Sequence, residues 1–144
     1  MTYHDNLCRK LDDLFFWQSR FYLRERSLAR QLKALGVSWE ILTVKVELDF
    51  TDLPRKRGGE GKLHRALKKF AYNMLVEQGE KQPEYEVDYI DVYAPTLKIG
   101  IECGDIYAER LIGRFIEPHE FKELWVLMYP KKNGESILVK FRQS

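Results

Sequence analysis

Apolar side chains in the first part of the chain recur at helical steps. Leu7, Leu11, Leu14, Phe15, Phe21, Leu28, Leu32 and Leu35 mostly stand three or four residues apart, which predicts an amphipathic helix, or two broken around Trp17 to Phe21, stopped by Gly36. The period then changes. Leu42, Val44, Val46, Leu48 and Phe50 alternate with Thr43, Lys45, Glu47 and Asp49, a period of two that predicts a strand with one apolar face. Thr51 to Gly61, with Pro54, Arg55-Lys56-Arg57 and three glycines, reads as a basic loop. Leu63, Leu67, Phe70, Ala71, Met74 and Leu75 then form a helical stripe that Gly79 closes. Tyr85 to Ala94 reads as one strand and Leu97 to Cys103 as another, joined at Pro95-Thr96 into a hairpin. Ile106 to Phe115 reads as a helix ended by Pro118. Leu124 to Tyr129 and Ser136 to Phe141 read as strands joined through Asn133-Gly134, a strong hairpin signal. The order is helix, strand, helix, strand, strand, helix, strand, strand, an α/β class in one domain.

A chain of 144 residues with 44% apolar and 32% charged residues is long enough to close one hydrophobic core. The longest apolar run, Leu124 to Tyr129, is far shorter than the roughly 20 residues a membrane helix needs, so no membrane association is expected. Met1 to Asp13 lacks the apolar centre of a secretory signal, and a cytoplasmic location follows. Two cysteines, Cys8 and Cys103, are too sparse for a zinc cluster or a disulfide framework and are expected as thiols. The net charge of +2 hides a division: residues 1–72 carry 15 Lys/Arg and 9 Asp/Glu, residues 73–144 carry 9 and 13. That layout suits a polyanion held by one part and a cation held by acids in the other.

Three carboxylates carry the chemistry. Glu60 opens the middle helix, Asp91 lies in the first hairpin strand and Glu102 in the second. Alternation puts Glu102 opposite the row Ile99, Ile101, Cys103, and puts Asp91 opposite Ile90 and Val92. A short hairpin then brings Asp91 and Glu102 to one face. Two carboxylates so close repel unless a hard cation sits between them, and Mg2+ fits, with Mn2+ as substitute. Glu86 and Asp88 compete for the role of Asp91 if the register slips. His64, one helical turn after Glu60, shares its face. Arg55, Lys56 and Arg57, with Lys62, are placed to bind phosphates. No Walker loop, Ser-His-Asp order or Rossmann fingerprint occurs, which excludes nucleotide hydrolysis and acyl transfer.

These stretches resemble the PD-(D/E)XK nucleases, whose restriction-endonuclease-like core is a mixed central sheet flanked by helices. The matching segments are Gly59-Glu60-Gly61-Lys62-Leu63-His64, Ile90-Asp91-Val92-Tyr93 and Ile99-Gly100-Ile101-Glu102-Cys103-Gly104, within residues 58–144. Residues 1–57 would then be an N-terminal extension of helix, strand and basic loop. The resemblance implies a Mg2+-dependent DNA endonuclease in which Glu60, Asp91, Glu102 and the Cys103 carbonyl hold the metal. It also implies a homodimer, for which Phe15, Phe16, Trp17, Phe21 and Tyr22 offer an apolar surface. Gly104 stands where the family has its lysine. Lys98, two pleats before Glu102 on the same strand face, is the expected replacement, and Arg110 on the next helix is a second cation, unable to act as a base. His64 and Arg110 join the basic loop as nucleic-acid contacts. The alternative is a non-catalytic nucleic-acid-binding or assembly protein on the same fold, since residual carboxylates look alike in both.

Overall fold

The computed structural model describes residues 28–104 and 106–144. The helical pattern from Leu7 to Phe21, Cys8 and the aromatic cluster from Phe15 to Tyr22 lie outside the described residues. The described residues fall into two compact units. One comprises Leu28 to Ser38, Ile106 to Glu120 and Arg142 to Ser144, and the other Trp39 to Gly104 and Phe121 to Phe141.

In the first unit, helix α1 (Leu28–Ala34) buries Leu28, Ala29 and Leu32. A second helix of this unit, Ala108–Ile116, is α3 in chain order and buries Leu111, Ile112 and Phe115. Gly36 adopts a φ of +75°, a backbone state glycine enters without a Cβ penalty, and it ends α1 as its position in the sequence predicts. Its carbonyl accepts from the Ser144 amide at 3.0 Å and from Ser144 Oγ at 3.1 Å. Gln143 Nε2 donates to the Leu35 carbonyl at 2.9 Å, so the chain's last residues tie off the turn.

Six strands form one mixed sheet: β1 (Val37–Lys45), β2 (Glu84–Val87), β3 (Ile90–Ala94), β4 (Ile99–Cys103), β5 (Glu123–Leu127) and β6 (Glu135–Gln143), in the order β1-β6-β5-β4-β3-β2. Strands β2, β3 and β4 are an antiparallel meander, and β4 pairs parallel to β5 with Glu102 beside Val126. Helix α2 (Lys62–Glu77) lays Leu67, Ala71 and Leu75 on the face carrying Val92, Ile101, Cys103 and Trp125. Leu67, Leu75, Val92 and Ile101 are each worth about 1.5 to 3 kcal/mol when fully buried. Beyond α2, Gly79 at φ +108° lets its amide donate to the Val76 carbonyl and the next amide, of Glu80, reach back to Leu75 at 3.0 Å, a Schellman closure. Glu80 is itself buried, and its carboxylate accepts from the amides of Thr96 and Leu97 at 3.2 and 3.1 Å, so the helix end grips the β3–β4 turn.

Two expectations are corrected. The alternating run from Leu42 to Phe50 is a strand only as far as Lys45. Val46 makes a further amide contact, to the Gly134 carbonyl, after which the chain leaves the sheet and Phe50 is exposed. Tyr85 to Ala94 is not one strand but two, because Asp88 and Tyr89, at φ +49° and +64°, make a two-residue turn between them. Strand β1 is a member of the six-stranded sheet. Among the described residues no helix is long and apolar enough to cross a membrane.

Candidate metal centre

The second unit brings three ligating side chains together. Atoms of Glu60, His64 and Asp91 all lie within 4.8 Å of one another. Glu60 sits in the last turn of the basic loop, just before the N-cap Gly61, where its amide donates to the Arg57 carbonyl at 3.1 Å. The return bond is made by the side chain: the Arg57 amide donates to Glu60 Oε1 at 2.8 Å. His64 follows on the first turn of α2. Asp91 enters from β3, and its Oδ2 accepts from the Cys103 amide at 2.7 Å. Each carboxylate thus has one oxygen fixed by a backbone N–H, and the other oxygens, Glu60 Oε2 and Asp91 Oδ1, converge on His64 Nε2 at 3.2 and 3.4 Å. On its far side, His64 Nδ1 lies 2.9 Å from the hydroxyl of Tyr129.

Behind these groups sits Lys68, one turn further along α2 and only 1% exposed. Its ammonium is 3.1 Å from Glu60 Oε2 and bonds Glu86 Oε1 as well, while lying 5.7 Å from the Tyr85 ring centroid. Burial pushes the Lys68 pKa down, but the hydrogen bonds to Glu86 and Glu60 outweigh it and the net shift is upward, so this lysine stays charged. The His64 pKa is raised by its hydrogen bond to Asp91, with burial pulling the other way and the charges of Asp91 and Glu60 adding support. The Cys103 thiol, fully buried, is pushed well above its ordinary value by desolvation and then by the charges of Asp91 and Glu102.

Of the expected ligands, Glu60 and Asp91 meet and Glu102 does not join them. Glu102 shares the strand face of Gly100 and Val126, opposite Ile101 and Cys103, against which α2 packs. The strict alternation behind the expected pairing breaks at Asp91. Ile90 stands against Gly100, on the far face, yet Val92 two residues later belongs to the cluster under α2. The side chains change face between Ile90 and Val92, which brings the Asp91 carboxylate out on the α2 side, while the β2–β3 register stays regular to Val87 beside Ile90. Regular cross-strand pairing ends at Val92 with Ile101, and the Cys103 amide is satisfied by the Asp91 side chain.

Lys98 lies outside β4, in the β3–β4 turn at φ +60°. Four residues of strand separate it from Glu102, about 13 Å at 3.3 Å per residue, and it stands at the opposite end of the hairpin from Asp91. The buried cation at the cluster is Lys68, to which the sequence pattern assigned no role. Its signal was available: Lys68 falls on the stripe of Leu67, Ala71 and Leu75, where a charge is unexpected. Arg55, Lys56, Arg57 and Lys62 are exposed, and Arg110 is exposed on α3. The loop is anchored from α2 by Arg65 Nε donating to the Pro54 carbonyl at 2.9 Å and by Lys69 donating to Asp49 Oδ2 at 2.7 Å.

Comparison of this chain with protein-family models, with curated proteins and with solved structures finds no match. The resemblance to the PD-(D/E)XK nucleases therefore rests on the residues of this chain alone.

Proposed function

We propose that this protein is a metal-dependent nuclease with a restriction-endonuclease-like core, hydrolysing DNA phosphodiester bonds. The reading is carried by one observation: two carboxylates whose outer oxygens are held by backbone amides aim their inner oxygens at one imidazole nitrogen. That donor set fits a divalent cation held by Glu60 Oε2, Asp91 Oδ1 and His64 Nε2. An imidazole among oxygen donors favours Mn2+ over Mg2+, which prefers oxygen throughout. A cation bound there supplies Lewis acidity toward a phosphate and lowers the pKa of an attacking water.

The chain's own residues do the remainder. Arg57 and Cys103 amides hold the carboxylates in place without reorganisation. Lys68, charged and buried beside Glu60, offsets negative charge building on a phosphoryl group, the part expected of Lys98. The exposed Arg55-Lys56-Arg57 run gives the phosphate backbone a place to bind next to Glu60. The rival reading is a non-catalytic nucleic-acid-binding protein. It is favoured by the fact that Lys68 and His64 already balance Glu60 and Asp91 without a metal.

Incubation with linear, supercoiled and branched DNA in Mn2+ or Mg2+ separates the two. Cleavage is expected, with a loss of at least about 100-fold in Glu60→Gln and Asp91→Asn. Cleavage retained by both variants would remove the site, and binding without cleavage by the unmodified protein would favour the rival.

A further inference from the structure

Gly104 departs from the nuclease pattern, and the space a side chain would need there is already taken. A Cβ built on Gly104 would lie 2.5 Å from Cε2 of Tyr129, 2.6 Å from its Cζ and 2.7 Å from its hydroxyl oxygen. Real Cβ atoms do not approach that closely, so any side chain at 104 displaces the hydroxyl end of Tyr129. The backbone at Gly104, φ +83°, also disfavours an L side chain. The two positions are neighbours because β4 and β5 run parallel in register to Cys103 beside Leu127, after which the Gly104 amide donates to the Leu127 carbonyl at 2.7 Å. Tyr129, beyond the end of β5, then leans over Gly104 and meets His64. Its hydroxyl is 2.9 Å from Nδ1, and the rings meet edge to face with centroids 6.3 Å apart.

An imidazole that gives one nitrogen to a metal carries its proton on the other, and that N–H needs an acceptor to fix the ring. The Tyr129 hydroxyl is such an acceptor, and it can turn to donate when Nδ1 is bare, so it serves His64 with or without an ion. We propose that Tyr129 is a positioning residue that holds His64 with Nε2 toward Glu60 and Asp91, and that glycine stands at 104 to give its ring room. This rests on the reading of the cluster as a metal centre.

The test is Mn2+ affinity by calorimetry, with thermal unfolding measured alongside. Tyr129→Phe keeps the ring and loses only the hydroxyl, and is expected to weaken Mn2+ binding by about 10- to 100-fold with little change in unfolding temperature. Gly104→Ala is expected to weaken it comparably, but to cost no further affinity in a Tyr129→Ala background, where the space has been vacated. In Zn2+-loaded protein, nitrogen NMR should show the metal on His64 Nε2 and the proton on Nδ1, with a second population coordinated through Nδ1 appearing in Tyr129→Phe as the ring turns over. Unchanged Mn2+ affinity in Tyr129→Phe, while His64→Ala weakens binding, would overturn this inference and leave the metal centre standing. Absence of saturable Mn2+ binding by the unmodified protein would overturn both.

Discussion

Lys68 decides the electrostatics of the cluster. Its side chain is buried against carboxylates from the loop and from β2, so removing its charge leaves Glu60 and Glu86 facing one another uncompensated. Lys68→Met is expected to destabilise the fold by about 3 to 5 kcal/mol in denaturant unfolding and to abolish cleavage. Glu86→Gln, which leaves the Glu60 contact intact, should cost less than half of that. His64 adds a pH dependence. Because its folded pKa is raised above 6.5, protonated His64 stabilises the metal-free protein fully below about pH 6.5, and this contribution fades as pH rises through the raised value. Metal and proton compete for Nε2, so Mn2+ affinity should climb with pH from 6.5 upward and level off once His64 is neutral. A flat profile would remove His64 as a ligand. At this scale the sequence made Glu60, His64 and Asp91 legible through residue type and position. Lys68 and Tyr129 were not, since one was hidden among surface lysines and the other is 65 residues from the histidine it touches.

Among the elements, the β2–β3 turn is held in positive φ and the end of α2 is tied to the β3–β4 turn by a buried carboxylate. Asp88 and Tyr89 both hold positive φ, which costs an L residue roughly 1 kcal/mol apiece and which Asn-Gly adopts more readily. Exchanging the pair for Asn-Gly is expected to stabilise the protein by about 1 kcal/mol in chemical denaturation while leaving Mn2+ binding unaltered. Glu80→Ala should act the other way, by about 1 to 3 kcal/mol, because the amides of Thr96 and Leu97 lose their acceptor. Periodicity revealed α2, β4, α3, β5 and β6 closely, since each buries a stripe or face that the pattern records. It merged β2 with β3 because no Gly, Asn or Pro marks their turn, and it carried β1 too far because alternation continues in a segment that has left the sheet. The break at Asp91 was equally invisible. A local change of face is set by backbone hydrogen bonding, to which a count of odd and even positions is blind.

At the scale of the whole molecule, Arg55, Lys56 and Arg57, three of the basic residues of the first half of the chain, form an exposed strip on the loop that carries Glu60. If that strip holds DNA, the logarithm of affinity should fall linearly with the logarithm of salt concentration. Replacing Arg55, Lys56 and Arg57 with alanine should flatten the slope by about 0.9 for each residue that meets a phosphate of duplex DNA. An unchanged slope would place the nucleic acid elsewhere or dispense with it. Strand β1 belongs to the same sheet as β2 to β6, and α1 and α3 share a compact unit.

The sulfur of Cys103 offers a way to watch this architecture open. Sealed under α2 and held protonated by its surroundings, it should be inert to iodoacetamide for as long as the helix stays seated. Alkylation at that one position, followed by mass spectrometry, would then time the detachment of α2 from the sheet, and binding of Mn2+ should lengthen the interval.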